Sequence, residues 1–167
     1  MTGLRLRPYR SADEGAFLAA EQDPDDIDFF GFRPVNGFAR RFAADGLISD
    51  DGGNLAVEVG DQVVGDVGWH AVHHGPPPHA RALNIGIAIA KAHRGRGFGT
   101  AAQRLLAEHL FATTRIERLE ASTDVENVAE QRALEKAGFT REGVLRHSQW
   151  RAGAFHDNVL YSRLRDD

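Results

Sequence analysis

The run Arg94-Gly95-Arg96-Gly97-Phe98-Gly99-Thr100 carries the plainest chemistry in the chain. It precedes Ala101 to Thr114, where Leu105, Leu106, Leu110 and Phe111 fall at helical spacing. A glycine-rich turn thus feeds a helix N-terminus. Backbone N–H groups there lack intrahelical partners and sit at the positive end of the helix dipole, and glycines, with no Cβ, let a pyrophosphate come close. Two familiar phosphate cradles do not fit. A P-loop needs Gly-x-x-x-x-Gly-Lys-Ser/Thr, and no lysine follows these glycines. The dinucleotide fingerprint needs Gly-x-Gly-x-x-Gly, whereas Gly95, Gly97 and Gly99 are spaced two and two. The residues alone leave open a simple tight strand-to-helix turn.

The elements that position this turn follow from periodicity. Leu4 and Leu6 alternate with Arg5 and Arg7 as a short strand ending at Pro8. Ser11 and Glu14 have capping-box spacing ahead of a helix striped by Phe17 and Leu18. Asp23 to Asp28 reads as a loop and Phe38 to Leu47 as a second helix. Leu55, Val57 and Val59, a Gly60-Asp61 turn, and Val63 to Val72 predict a hairpin. Pro76 to Pro78 form a stiff connector before a strand over Leu83 to Ala90, whose small Gly86, Ala88 and Ala90 alternate with Ile85, Ile87 and Ile89. One face of that strand would admit a ligand or another backbone. After the long helix come a strand over Leu119 to Thr123, a helix over Val128 to Ala137 opened by Asn127 and stopped at Gly138, and a strand from Phe139.

With 167 residues, 42% hydrophobic and 26% charged, the chain has the size and composition of one globular domain spanning 1–167. No apolar run approaches the roughly 20 residues of a membrane helix, and the alternating N-terminus is not a secretory signal, so a cytoplasmic protein with no membrane partner is expected. The absence of cysteine removes disulfides, thiolate metal sites and a cysteine nucleophile. A formal net charge of −4 and no basic cluster argue against nucleic acid. His70, His73, His74 and His79 invite a metal, but alternation puts His73 and His74 on opposite faces and His79 lies beyond the prolines, so none is expected.

Arg94-x-x-Gly97-x-Gly99 resembles the Arg/Gln-x-x-Gly-x-Gly/Ala motif of GNAT acetyltransferases, and Asn127 with Leu134-Glu135-Lys136-Ala137-Gly138-Phe139 resembles their second block. Gly143-Val144-Leu145-Arg146, Gly153, Asp157 and Tyr161 are similar to the closing strands of the branch that acetylates ribosomal-protein N-termini, the RimJ/RimL-like branch, and of its small-molecule relatives. The resemblance runs from Leu4 to Leu164. It implies an α/β (α+β) GNAT fold: a mixed, mostly antiparallel seven-stranded sheet with splayed fourth and fifth strands, flanked by about four helices. It also implies acetyl-CoA as co-substrate. The backbone of Ile87, Ala88 and Ile89 would pair with the pantetheine arm, the N–H groups of Arg94, Gly95, Arg96, Gly97, Phe98, Gly99 and Thr100 would hold the pyrophosphate, and Asn127 would reach the cofactor from the facing helix. A homodimer is expected from family habit.

The implied reaction is direct attack of an amine on a thioester. It needs a group that takes a proton from the amine, a donor for the carbonyl oxygen and a proton or donor for the departing sulfur. The chain departs from the family at three places: Leu134 where relatives place Tyr, Glu130 where the N-terminal acetylase branch often has Ser, and Asn84 where a carboxylate is common. The remaining catalytic candidates are His70, an imidazole suited to general-base work, Ser122, a hydrogen-bond donor near the thioester, and Glu130, an acid or a residue complementing the helix dipole. The acidic run Asp23, Asp25, Asp26 and Asp28 could draw a cationic amine, with Phe29, Phe30 and Phe32 as pocket wall or core. The alternative function is an acyl-CoA-binding sensor without turnover.

Overall fold

The computed structural model describes residues 3–21, 38–49, 51–76 and 79–167. The acidic run of residues 23–28, the neighbouring phenylalanines and the last two of the three prolines lie outside the described residues. In chain order the elements are β1 (Leu4–Arg7), a 3-10 turn (Ser11–Asp13), α1 (Glu14–Glu21), α2 (Phe38–Asp45), β2 (Ile48–Ser49), β3 (Gly52–Val59) and β4 (Gln62–His73). Then come β5 (Arg81–Ile89), a second 3-10 turn (Lys91–His93), α3 (Phe98–Thr113), β6 (Arg118–Asp124), α4 (Val128–Lys136), β7 (Thr140–Arg151) and β8 (Ala154–Leu164). The expected start of the first helix shifts. Arg7 binds Asp13 through two guanidinium nitrogens at 2.6 and 3.1 Å, and the Asp13 carboxylate accepts the Arg10 N–H at 2.7 Å, so the box closes on Arg10 and Asp13 instead of Ser11 and Glu14.

The strands form one sheet in the order β1-β3-β4-β5-β6-β8-β7. The seven-strand path is the expected one, and the two-residue β2 adds an eighth strand on β3. Every pairing is antiparallel except β5 with β6. That parallel pair meets at two registers, Leu83 with Leu119 and Asn84 with Glu120, whereas β5 follows β4 from Arg81 to Ile89 and β6 follows β8 from Arg118 to Asp124. Beyond Asn84 the two strands diverge as a wedge, which is the expected splay.

Alternation along the strands supplies two apolar layers. On one face Leu55, Val57, Val67, Leu83 and Ile85 pack with Ala102, Leu106 and Leu110 of α3 and Leu134 of α4. On the other, Ala56 and Leu47 pack with Tyr9, Phe17 and Phe38, whose rings meet at centroid distances of 5.1–5.8 Å. Close approach of β4 and β5 depends on Gly65: a Cβ there would lie 2.4 Å from the Ala88 carbonyl oxygen and 3.1 Å from the Ile89 Cα. At Gly86 a Cβ would meet nothing within 4 Å.

The closed end of the wedge is bound by charge. Arg118 donates to Glu120 at 2.7 Å and bidentately to Glu142 at 2.7 and 2.5 Å; His74 meets Glu120 at 2.6 Å, and the Ser162 hydroxyl donates to Glu142 at 2.8 Å. At the far end of β6 the buried Asp124 carboxylate pairs with Arg151 and accepts the Glu126 N–H at 2.7 Å. β7 forms the outer edge of the sheet, and its register against β8 shifts between Arg141 and Gly143 and between Leu145 and Gln149. Inside the second shift His147 has φ +50° and donates its N–H to Asp157 at 2.7 Å. Among the described residues no helix is long and apolar enough to cross a membrane.

Gly65→Ala is expected to cost about 1–3 kcal/mol through the enforced strand shift, whereas Gly86→Ala should leave the thermal midpoint unchanged; calorimetry of the two variants checks this. A second expectation concerns acid. The Arg118 guanidinium, helped by the Ser162 hydroxyl, lowers the Glu142 carboxyl from an ordinary 4.5 to about 2. The folded protein therefore gains stability from ionised Glu142 above pH 4.5 and loses it as the pH falls towards 2. Wild type should exceed Glu142→Gln in denaturant stability at pH 6, with the gap closing by pH 2.

Candidate functional site

The glycine turn is built as its composition requires. Gly95 and Gly97 have φ +73° and +78°, left-handed values that favour glycine, and Gly97 is the N-cap of α3. The first intrahelical bond runs from the Ala101 N–H to the Gly97 carbonyl at 3.1 Å, so the N–H groups of Phe98, Gly99 and Thr100 precede the ladder and point out of the helix end. Arg94 is turned back onto the strand, its Nε donating to the Ile89 carbonyl at 2.8 Å. This ties the turn to the last residue of β5.

Facing it, Asn127 caps α4: its Oδ1 accepts the Glu130 N–H at 3.2 Å. The two helix starts bound a groove of about 550 Å³ on the α3 and α4 side of the wedge. Ile87, Ala88, Ile89, Arg94, Gly95, Gly97, Phe98, Gly99, Thr100 and Asn127 all line it, with Arg132 and Lys136 adding cationic side chains and His93 an imidazole. Arg96 is exposed and does not line it. Unladdered N–H groups, a helix N-terminus and nearby cations make the outer part of this groove suited to an anion, and the unpaired side of β5 offers backbone groups to an extended amide-bearing chain.

A second cavity, of about 300 Å³, opens on the opposite side of the sheet. His70 and Asn84, partners in the β4–β5 register, line it with Trp69, Gly86 and Ser122. His70 is exposed there and not packed in the core. Two buried carboxylates sit in the wall. Asp66 accepts the Tyr9 hydroxyl at 3.0 Å and the Asn54 amide at 2.9 Å, and Asp124 is the partner of Arg151. Thr123 Oγ1 and Asn158 Oδ1, also in this lining, are buried atoms without a hydrogen-bond partner among the described residues.

Between the two lies a space of about 20 Å³ lined by Ile85, Gly86, Ile87, Ala121, Ser122, Leu134, Gln103 and Glu130. Ser122 belongs to this space and to the 300 Å³ cavity, Glu130 to this space and to the groove. Burial raises the Glu130 carboxyl to about 7, against the opposing N–H of Gln103, whose Nε2 donates to Glu130 Oε1 at 2.5 Å. The structure therefore sets His70, Ser122 and Glu130 on successive sides of one opening, with His70 and Glu130 at its opposite faces. Periodicity alone did not single out Gln103, Asp66 or Asp124. Their signal was a polar residue where the pattern called for an apolar one: Gln103 on the buried stripe of α3, and Asp66 between Val64 and Val67.

Comparison with known proteins bears on the family and the fold. A model of the acetyltransferase (GNAT) domain matches residues 3–140. The Bacillus subtilis (strain 168) protein named "Probable N-acetyltransferase YjcK" is 32% identical over 107 residues, 64% of this chain and 58% of that protein. The Escherichia coli (strain K12) ribosomal-protein-serine acetyltransferase is 24% identical over 106 residues, 64% of this chain and 57% of that protein. The chain thus matches less than two thirds of either relative's length. The crystal structure of spermidine N-acetyltransferase from Vibrio cholerae in complex with CoA and spermine superposes with a TM-score of 0.82 over 98% of this chain and 96% of that one; at 18% identity the likeness is one of fold. With the family model spanning the glycine turn, the wedge and the facing helix, the chain belongs to the GNAT acetyltransferase family.

Proposed function

We propose that the protein transfers the acetyl group of acetyl-CoA to a primary amine, by direct attack within a ternary complex. The observation that carries this reading is the wedge between β5 and β6, open to a groove on one face and to a polar cavity on the other, so that two substrates can meet through the sheet. In the groove, the N–H groups of the turn from Gly95 to Thr100 would take the pyrophosphate, the edge of Ile87 to Ile89 the pantetheine amides, and Asn127 the same arm from α4. Arg96 stays in this set only as an exposed cation beside the phosphates.

The amine enters from the cavity of His70, Asn84 and Ser122. His70 takes its proton, directly or through water, and Ser122 is the hydroxyl within reach of both sides of the opening. Attack of the amine nitrogen on the carbonyl carbon puts charge on the carbonyl oxygen, which a free N–H of β5 can stabilise. The buried Asp66 carboxylate in the wall favours a cationic acceptor, either a protein N-terminus or a small-molecule amine, whereas the charge of Asp124 is matched by Arg151. The spermidine and ribosomal-protein relatives mark those two acceptor classes. A cytoplasmic setting, which rests on composition and the lack of a membrane-length apolar run, and a homodimer, which rests on family resemblance, belong to the same proposal.

Gly99 lines the groove at an ordinary φ, with the nearest atom to an added Cβ at 4.0 Å, so Gly99→Trp should fold and fill the phosphate end. Purified protein with acetyl-CoA and a panel of peptide N-termini, polyamines and aminoglycosides should release free thiol with one acceptor class, and the variant should bind no CoA and release none. Tight CoA binding by wild type without release from any acceptor would identify a sensor instead.

A further inference from the structure

Gln103 is out of place by any packing criterion. It is 1% exposed on the apolar side of α3 between Ala102 and Leu106, its Oε1 has no hydrogen-bond partner among the described residues, and burying a half-satisfied amide is costly where an apolar side chain would pack freely. Its other atom is engaged: Nε2 donates to Glu130 Oε1 at 2.5 Å across the gap between α3 and α4. Both side chains line the 20 Å³ space at the root of the wedge, where Glu130 also reaches the groove. We infer that Glu130 is the acid that protonates the departing sulfur of the thioester, and that Gln103 is the positioning residue that holds its carboxyl at the root of the wedge. This rests on the acetyl-transfer reading above.

The chemistry balances. The amine nitrogen forms its bond to the carbonyl carbon and loses a proton on the His70 side. As the carbon–sulfur bond breaks, sulfur keeps the electron pair and takes the proton of the Glu130 carboxyl. The resulting carboxylate regains a proton from solvent through the open groove. A carboxyl serves here only if it is protonated near neutral pH, and burial provides that condition by raising Glu130 to about 7. The groups facing it are neutral on three sides: Gln103 from α3, Ser122 and Ala121 from β6, Ile85 to Ile87 from β5. From its own helix Leu134 lines the same space, and Asn127 takes up the Glu130 backbone N–H. The cations of the groove, Arg94, Arg132 and Lys136, and the neighbouring His93 are not among the causes of its shift, and the Gln103 N–H is the one influence opposing burial. Ser122 shares the space, but a hydroxyl gives up a proton far less readily than a carboxyl.

Two measurements decide. In the first, free CoA is bound to wild type and to Glu130→Gln, and the ultraviolet absorbance of its thiolate is followed against pH. A carboxylate beside the sulfur opposes thiolate formation, so the thiol should ionise at lower pH in Glu130→Gln than in wild type. In the second, thiol release is followed with the acceptor class found above. Glu130→Gln should lose about 10²-fold in kcat. Gln103→Leu should keep turnover at low pH but shift the alkaline limb of kcat upward, because the N–H that favours the carboxylate is gone; a merely structural Gln103 would leave the limb in place. Superimposable thiol titrations with undiminished kcat in Glu130→Gln would overturn the role of Glu130 while acetyl transfer stands. Failure of wild type to bind CoA, or to release thiol with every acceptor, would overturn both.

Discussion

The parallel contact between β5 and β6 is limited to Leu83–Leu119 and Asn84–Glu120, and the site exists because of that limit. Each strand is fully paired on its other side, β5 to β4 and β6 to β8, so neither can drift to close the gap. The backbone groups they leave unpaired inside the wedge must find partners elsewhere. An extended chain carrying amides is the natural occupant. Every element described around the wedge either holds it open, as Gly86 does by offering no side chain, or frames an entrance, as the starts of α3 and α4 do.

The position of β6 is fixed at both ends by charge. Arg118, Glu120, His74 and Glu142 tie its start to the end of β4 and to β7, and Asp124 with Arg151 ties its finish to the end of β7. The two ends differ in kind. Glu142 is partly exposed, so its pair is weakened by solvent screening, whereas Asp124 and Arg151 are buried together and removing either would strand a charge. Asp124 also lines the 300 Å³ cavity, so the residue that anchors the strand is part of the cavity wall.

The groove was more legible in the sequence than the 300 Å³ cavity, for a physical reason. The glycine turn is a local requirement: positive φ at Gly95 and Gly97 and an open helix end are written into seven consecutive residues. The strand Ile85 to Ile89 and the Asn127 cap were legible in the same way, from alternation and capping chemistry. The 300 Å³ cavity draws on Asp66, His70, Asn84, Ser122, Gln149 and Asn158, which come together only through long-range strand register. No local pattern could assemble them, so His70, Ser122 and Glu130 were readable as chemically competent residues but not as the two faces and root of one opening. The misplaced capping box has a similar origin, because Asp13 is claimed by Arg7 across the turn.

β7 has a consequence of another sort. As the outermost strand among the described residues it presents 12 residues with one side unpaired by them, the kind of edge on which a foreign chain can add and aggregation can begin. Its two register shifts, with the left-handed backbone of His147 and an N–H turned inward to Asp157, break that edge into short runs. An incoming strand would find only a few consecutive hydrogen-bonding positions before the template bends away. The irregular hairpin thus gives the sheet a self-limiting border, and the exposed Trp150 and Phe155 at its tip, stacked edge to face on each other, present no straight strand on which further copies could accumulate.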